Sequence, residues 1–251
     1  MYTLDLTGRV ALVTGAGRGI GRALAMGLAQ AGADLIIAAR TRPELEDLAQ
    51  AVEQTGRQVF VSVTDITKSD QVNRMVQDSL ERYGRVDILV NNVGMAIPQA
   101  AEEVTEAAWD QVVDTNLKAT FFVSQAIGRT MLSRRRGVIV NIVSELAFVA
   151  LPRYACYSAS KAGIVMLTKA LAVEWAPYGV RVNAVAPAAI QTEANTVLST
   201  EGHRRQALAR LPVGHFGTVQ DVVGAVLYLA SDAASYVLGT TLMVDGGRVI
   251  I

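Results

Sequence analysis

Ser144, Tyr157 and Lys161 stand in the order serine, twelve residues, tyrosine, three residues, lysine. Tyr157 and Lys161 are four apart on a stretch that reads as helix, so they share a face. A free tyrosine titrates near ~10, too high to take a proton readily at neutral pH. A neighbouring ammonium lowers an acid's pKa by ~1–3 units. A tyrosine tuned in this way exchanges the proton of an alcohol while a hydride moves. Ser144 closes an apolar run that reads as a strand, which puts its hydroxyl in place to hold a substrate oxygen beside the tyrosine.

A second constellation lies near the N-terminus. The run Val10–Val13 passes through Thr14 into Gly15-Ala16-Gly17-Arg18-Gly19-Ile20-Gly21. Glycines there permit positive φ and close approach of the backbone to a diphosphate, which the following helix N-terminus attracts. A tight strand-to-helix turn without a ligand would use the same residue types. The next apolar run ends Ala38-Ala39-Arg40, with no carboxylate where one would accept from a ribose 2′-hydroxyl. Arg40 and Arg18 offer guanidinium forks to a 2′-phosphate instead, so NADP(H) is expected over NAD(H).

The elements that must position these groups follow from periodicity. Seven apolar runs rich in Val and Ile read as strands buried on both faces: Val10–Val13, Leu35–Ala39, Val59–Val63, Val86–Val90, Val138–Val143, Val180–Val185 and Thr241–Val244. Helical patterns lie between them: Gly19–Ala31, Pro43–Thr55, Ser69–Tyr83, Trp109–Leu132, Tyr154–Ala176 and Thr218–Leu229. Alternation of this kind predicts an α/β fold with a doubly wound, parallel, seven-stranded sheet and helices on both faces. No linker or repeat interrupts residues 1–251, so one domain is expected. The interval 188–217 has no clear strand, carries Thr192, Asn195, His203 and His215, and is expected to form a lid.

Composition excludes several classes. Twenty-three basic residues balance 23 acidic ones, so nothing steers the chain to nucleic acid or an anionic membrane. No apolar run is long enough to span a bilayer, and no signal pattern opens the chain; a cytoplasmic setting is expected. The single cysteine, Cys156, excludes an intrachain disulfide and reads as a small buried hydrophobe. The cluster Arg134-Arg135-Arg136 reads as a solvated helix end. His203 and His215 form no metal-ligand pattern, so no metal is expected.

Taken together, these marks resemble the short-chain dehydrogenase/reductase family, in its 3-oxoacyl-reductase-like and gluconate-dehydrogenase-like branch. The marks run in order through Thr14 to Gly21, Asp65-Ile66, Asn91-Asn92-Val93-Gly94, Asn116, Ser144, Tyr157 to Lys161, Asn183, Pro187 and Thr192. The resemblance implies a Rossmann domain with a catalytic tetrad of Asn116, Ser144, Tyr157 and Lys161. Asn116 would hold a water in a proton relay, and Lys161 would also bind the nicotinamide ribose. Cofactor contacts are implied for Gly15, Arg18, Gly19, Ile20, Gly21 and Arg40. Asp65 and Ile66 would flank the adenine, and Asn91 and Gly94 would line the channel, although the Asn91 segment also has a structural reading as a support of the central sheet. Pro187, Ile190 and Thr192 would meet the nicotinamide amide. A homotetramer is implied too, with the long helices pairing across one face and the tail Asp245–Ile251 at another.

The chain departs from the family at Val93, Val143, Glu145 and Ala188. Glu145 either faces the substrate or serves as a surface or subunit-contact charge. The pocket wall is expected to include Met95, Ala96, Ile97, Leu146, Leu151, Tyr154, Ala188 and residues of the 193–215 lid, which implies a fairly apolar alcohol or carbonyl substrate. A catalytically silent dinucleotide-binding sensor or scaffold is the alternative that the fold allows.

Overall fold

The computed structural model describes residues 4–192 and 201–251, and for His203 the backbone only. Asn195 and the 193–200 part of the expected lid lie outside the described residues, as does the His203 side chain.

Seven strands form one sheet: β1 (Val10–Thr14), β2 (Asp34–Ala39), β3 (Val59–Val63), β4 (Ile88–Asn91), β5 (Gly137–Ile142), β6 (Val180–Pro187) and β7 (Thr241–Val244). Their order is β3-β2-β1-β4-β5-β6-β7, and every pairing is parallel. This is the doubly wound sheet the apolar runs predict. Period-2 alternation decides which core each residue enters. In β1, Ala11 and Val13 pack with α1 (Gly19–Gln30), α2 (Arg42–Glu53) and α8 (Val219–Ala230) on one face. Val10 and Leu12 point the other way, into the core shared with α3 (Ser69–Tyr83), α5 (Ala119–Ser133) and α6 (Ala155–Trp175).

Two predicted elements change. The helix expected over 109–132 is α4 (Glu106–Val113), one π-helical turn over Asp114–Lys118, then α5. A π turn adds a residue to the helical repeat and rotates what it carries. Here it buries Asn116 completely, and Thr120 Oγ1 donates to the Asn116 carbonyl at 2.6 Å. The strandless interval contains a helix, α7 (Glu201–Leu208). Among the described residues no helix is long and apolar enough to cross a membrane.

Arg134 corrects the reading of its cluster as a solvated end. Its guanidinium donates to Asp87 Oδ1 at 2.7 Å, while Arg85 Nε and the Val10 N–H donate to Oδ2 at 3.0 and 2.9 Å. Asp87 is nearly fully buried. Burial pushes its pKa up, but the hydrogen bonds from Arg134, Val10 and Arg85 outweigh burial and leave the carboxyl below its ordinary value. The stabilisation is therefore full above the ordinary carboxylate value and lost as pH falls through the lower folded one. Asp87→Ala should cost about 3 kcal/mol at neutral pH by denaturant titration. The gap from wild type should narrow below about pH 4; a pH-independent gap would refute the ionic origin.

Candidate active site

The glycine loop is held from below. Thr14 Oγ1 accepts from the Asn92 N–H at 3.0 Å, and Asn92 Nδ2 donates to the carbonyls of Thr14 and Gly15 at 3.1 and 3.2 Å. Gly15 has φ 65° and starts the turn. Gly21 faces the Gly15 carbonyl so closely that a Cβ there would overlap it. Arg18 caps the start of α1 in extended conformation. The loop floors a cleft of about 700 Å³ at the point where strand order reverses between β1 and β4. Open α/β sheets bind ligands at such a point.

Gly15, Arg18, Gly19, Ile20 and Gly21 line this cleft along its floor, with Arg40 at the end of β2. Asp65 and Ile66 line the wall beyond β3, and Gly94 and Thr192 border the opposite end. Burial pushes the Asp65 pKa up, but Thr67 hydrogen bonds and the nearby Arg40 and Lys68 charges leave it below its ordinary value. A glycine-rich floor and the two exposed guanidiniums of Arg18 and Arg40 fit a phosphorylated dinucleotide.

A second cleft, of about 480 Å³, adjoins the first through Ile20, Asn92, Gly94, Met95 and Thr192, which border both. Ser144, Tyr157 and Lys161 line it, with Pro187, Ile190 and Thr192 on the facing wall. Ser144 follows β5 and opens a short 3-10 turn, Glu145–Ala147, in which the Leu146 N–H donates to Ser144 Oγ at 3.1 Å. Tyr157 and Lys161 share one face of α6, with Lys161 Nζ 5.7 Å from the tyrosine ring centroid. The ammonium donates to the Ile142 carbonyl at 3.0 Å. It passes where a Cβ on Gly94 would sit, 2.9 Å from Nζ, so Gly94 makes room for the lysine.

Asn116 supports this wall from behind. Its Oδ1 accepts from the Met95 N–H at 2.8 Å, and its Nδ2 donates to the Met95 carbonyl and Ser160 Oγ, each at 2.9 Å. Ser160 Oγ donates in turn to the Tyr157 carbonyl at 2.7 Å.

Electrostatically the protein alone differs from the lowered tyrosine pKa that the sequence predicts. Burial pushes the Tyr157 phenol up to about 12, opposed by the Ser144 hydroxyl and reinforced by the Glu145 and Tyr154 charges. Burial pulls the Lys161 ammonium down to about 8. Loss of water dominates at both groups, and the lysine directs a proton at the Ile142 carbonyl while standing over the tyrosine ring.

The structure brings most of the expected residues to the two clefts, while Asn116 and Asn91 line neither. Asn91 does not line the cleft. Its Nδ2 donates to Ser124 Oγ at 2.8 Å and Asn141 Oδ1 at 2.9 Å inside the core, and Asn92 takes the channel position. Adjacent strand residues point to opposite faces, which makes the exchange unavoidable. Met95, Ala96, Leu146, Leu151, Tyr154 and Ala188 line the second cleft, and Ile97 does not. Arg210 and Leu211 line it from the expected lid, and Arg248 lines it without any sequence signal. Arg248 lies in the tail assigned to a subunit contact. Glu145 also lines the cleft, largely withdrawn from water, and burial raises its pKa.

A family model described as enoyl-(acyl carrier protein) reductase matches residues 15–248. A 3-oxoacyl-acyl-carrier-protein reductase of Thermotoga maritima is 40% identical over 247 residues, covering 98% of this chain and 100% of the relative. The chain belongs to the short-chain dehydrogenase/reductase family. A gluconate 5-dehydrogenase of Gluconobacter oxydans is 40% identical over 244 residues, with 97% of this chain and 95% of the relative covered. Among solved structures, a gluconate 5-dehydrogenase from Burkholderia cenocepacia in complex with NADP and tartrate superposes with a TM-score of 0.95 at 36% identity. The match covers 99% of this chain and 98% of that one. Family membership makes the chain an NAD(P)-linked oxidoreductase, while the relatives' named substrates differ from one another.

Gly21→Ala should weaken NADH and NADPH alike, by at least about tenfold in dissociation constant, since the loop meets the diphosphate they share. Fluorescence titration with both dinucleotides checks this; selective loss of one would contradict a diphosphate role.

Proposed function

We propose that this chain transfers a hydride between NADP(H) and the carbon of a small, fairly apolar alcohol or carbonyl compound, with Tyr157 as acid/base. One observation carries the reading: Ser144, Tyr157 and Lys161 converge on a cleft continuous with the glycine-floored one. The bound nicotinamide supplies or accepts the hydride.

Tyr157 Oη gives its proton to the reacting oxygen in reduction and takes it back in oxidation. Ser144 Oγ orients that oxygen, and Lys161 stabilises the phenolate as it forms. Asn116 spends its amide protons on Met95 and Ser160, and its Oδ1 keeps a second lone pair for a relay water. A phenol near 12 and an ammonium near 8 are poised so that any cation added to the cleft lowers the tyrosine. Tyr157→Phe should remove nearly all turnover in an NADPH-coupled panel of ketones and aldehydes, with NADPH affinity kept within a few-fold. A variant retaining most of its rate would sink the mechanism. Tight NADPH binding by the wild type with no turnover across the panel would favour a sensor.

The preference for NADP(H) rests on Arg18 and Arg40, both exposed on the adenosine end of the first cleft. Arg40→Asp should shift kcat/KM from NADPH toward NADH by at least about tenfold, through loss of a charge-assisted phosphate contact. An unchanged cofactor ratio would overturn the assignment.

The interval 188–217 is proposed as a lid, since Ala188, Ala189, Ala207, Arg210 and Leu211 border the substrate cleft from both its ends. We also propose a homotetramer. Trp109 on α4, Phe122 on α5, and Met166 and Val173 on α6 are exposed, as are Ile250 and Ile251 in the tail. Exposed apolar clusters of this kind suit subunit contacts.

A further inference from the structure

Glu145 sits in the substrate cleft beside the serine that holds the reacting oxygen. Ser144 Oγ donates to Glu145 Oε2 at 2.8 Å. A serine hydroxyl has one proton, and in this geometry that proton is directed at Glu145. The carboxylate is largely withdrawn from water, with a pKa raised by burial. Arg248 and Asp245 act on it only through space, in opposite directions. Among the described residues its close side-chain donor is Ser144, and the walls around it include Leu146, Leu151 and Ala188.

A purely apolar ketone filling this cleft would strip the carboxylate of water without replacing it, and an unpaired buried charge is costly. It would also leave the Ser144 proton committed to Glu145. A ligand that brings its own donor to Glu145 solves both problems together. The position of that donor follows from the geometry. The reacting oxygen is one hydrogen bond from Ser144 Oγ, and Glu145 Oε2 is one hydrogen bond from the same atom. A hydroxyl on the carbon next to the reacting one spans that interval.

On the hydride-transfer reading above, we infer that Glu145 is a specificity-determining residue for substrates with a hydroxyl adjacent to the reacting carbon, namely α-hydroxy ketones and vicinal diols. The substrate hydroxyl donates to Glu145. Ser144 then turns its proton to the reacting carbonyl oxygen while still accepting from the Leu146 N–H. The rest of the substrate packs against the apolar wall.

The test pairs ketones with their α-hydroxy analogues. The first pairs are cyclohexanone with 2-hydroxycyclohexanone and 2-butanone with 3-hydroxy-2-butanone, followed by the analogue of every ketone that turns over in the NADPH panel. Because the hydroxyl also alters carbonyl reactivity, the readout is the change in the kcat/KM ratio between wild type and variant. Glu145→Leu should lower the ratio of hydroxylated to plain ketone by at least about tenfold, chiefly through a raised KM for the hydroxylated partner. Glu145→Gln retains the shape and one acceptor oxygen, so it should lower the ratio less, and it carries the test if the leucine variant does not fold. Turnover of both partners with a ratio unmoved in either variant would overturn this inference and leave hydride transfer standing. Absence of turnover on every ketone and hydroxyketone would overturn both.

Discussion

Asn91, Asn141 and Thr168 form the internal tie on which the site depends. Asn91 and Asn141 are register partners on β4 and β5, joined by an amide hydrogen bond of 2.9 Å. Asn141 Nδ2 donates to Thr168 Oγ1 at 2.9 Å, and Thr168 Oγ1 donates to the Ile164 carbonyl within α6. All three side chains are buried. Breaking one of these bonds would strand an amide in an apolar core, so the chain of contacts holds α6 at one height against the sheet. Tyr157 and Lys161 ride on that helix, and Ser144 leaves β5 just beyond Asn141. A slip of α6 by one turn would carry the tyrosine away from the serine.

Parallel strands buried on both faces leave little room for chemistry except at their ends. Strand order reverses between β1 and β4, so the loops after them diverge and open a cleft. Asn92 serves both requirements. It pins the glycine loop from one side and borders the catalytic cleft on the other. The π turn at Asn116 works similarly, fixing the Met95 backbone and, through Ser160, the first turn of α6. The two clefts meet because both of their floors depend on the segment 92–95.

Burial sets the charge state of three titratable groups that line the second cleft. Tyr157, Lys161 and Glu145 all lose water on folding, and each is pushed toward its neutral form. In such surroundings a proton or an added charge has large effects, because little solvent is present to screen it. The same low dielectric makes Glu145 demanding of partners.

Much was legible in the residues alone. Val/Ile runs and 3.6-residue periodicity mark the strands and most helices because burial on two faces or one face leaves a repeating pattern. Tyr157 with Lys161, and the glycine loop, are marked by spacing along single elements, since α6 and the β1–α1 turn are local structures. What sequence could not decide involves groups brought together from far apart or turned by one residue. Periodicity does not separate Asn91 from Asn92, yet alternation sends one into the core and the other into the cleft. A π turn has no compositional mark, so the 109–132 helix read as continuous. Arg134 finds Asp87 and Arg248 finds the catalytic cleft only through the sheet that sets them side by side. The sequence by itself determined the fold class and the glycine-rich turn between β1 and α1, because each rests on neighbours in the chain. Tertiary structure alone decided the partners of Glu145, the raised phenol and the lowered ammonium, because burial and cross-strand contacts exist only after the chain has closed on itself.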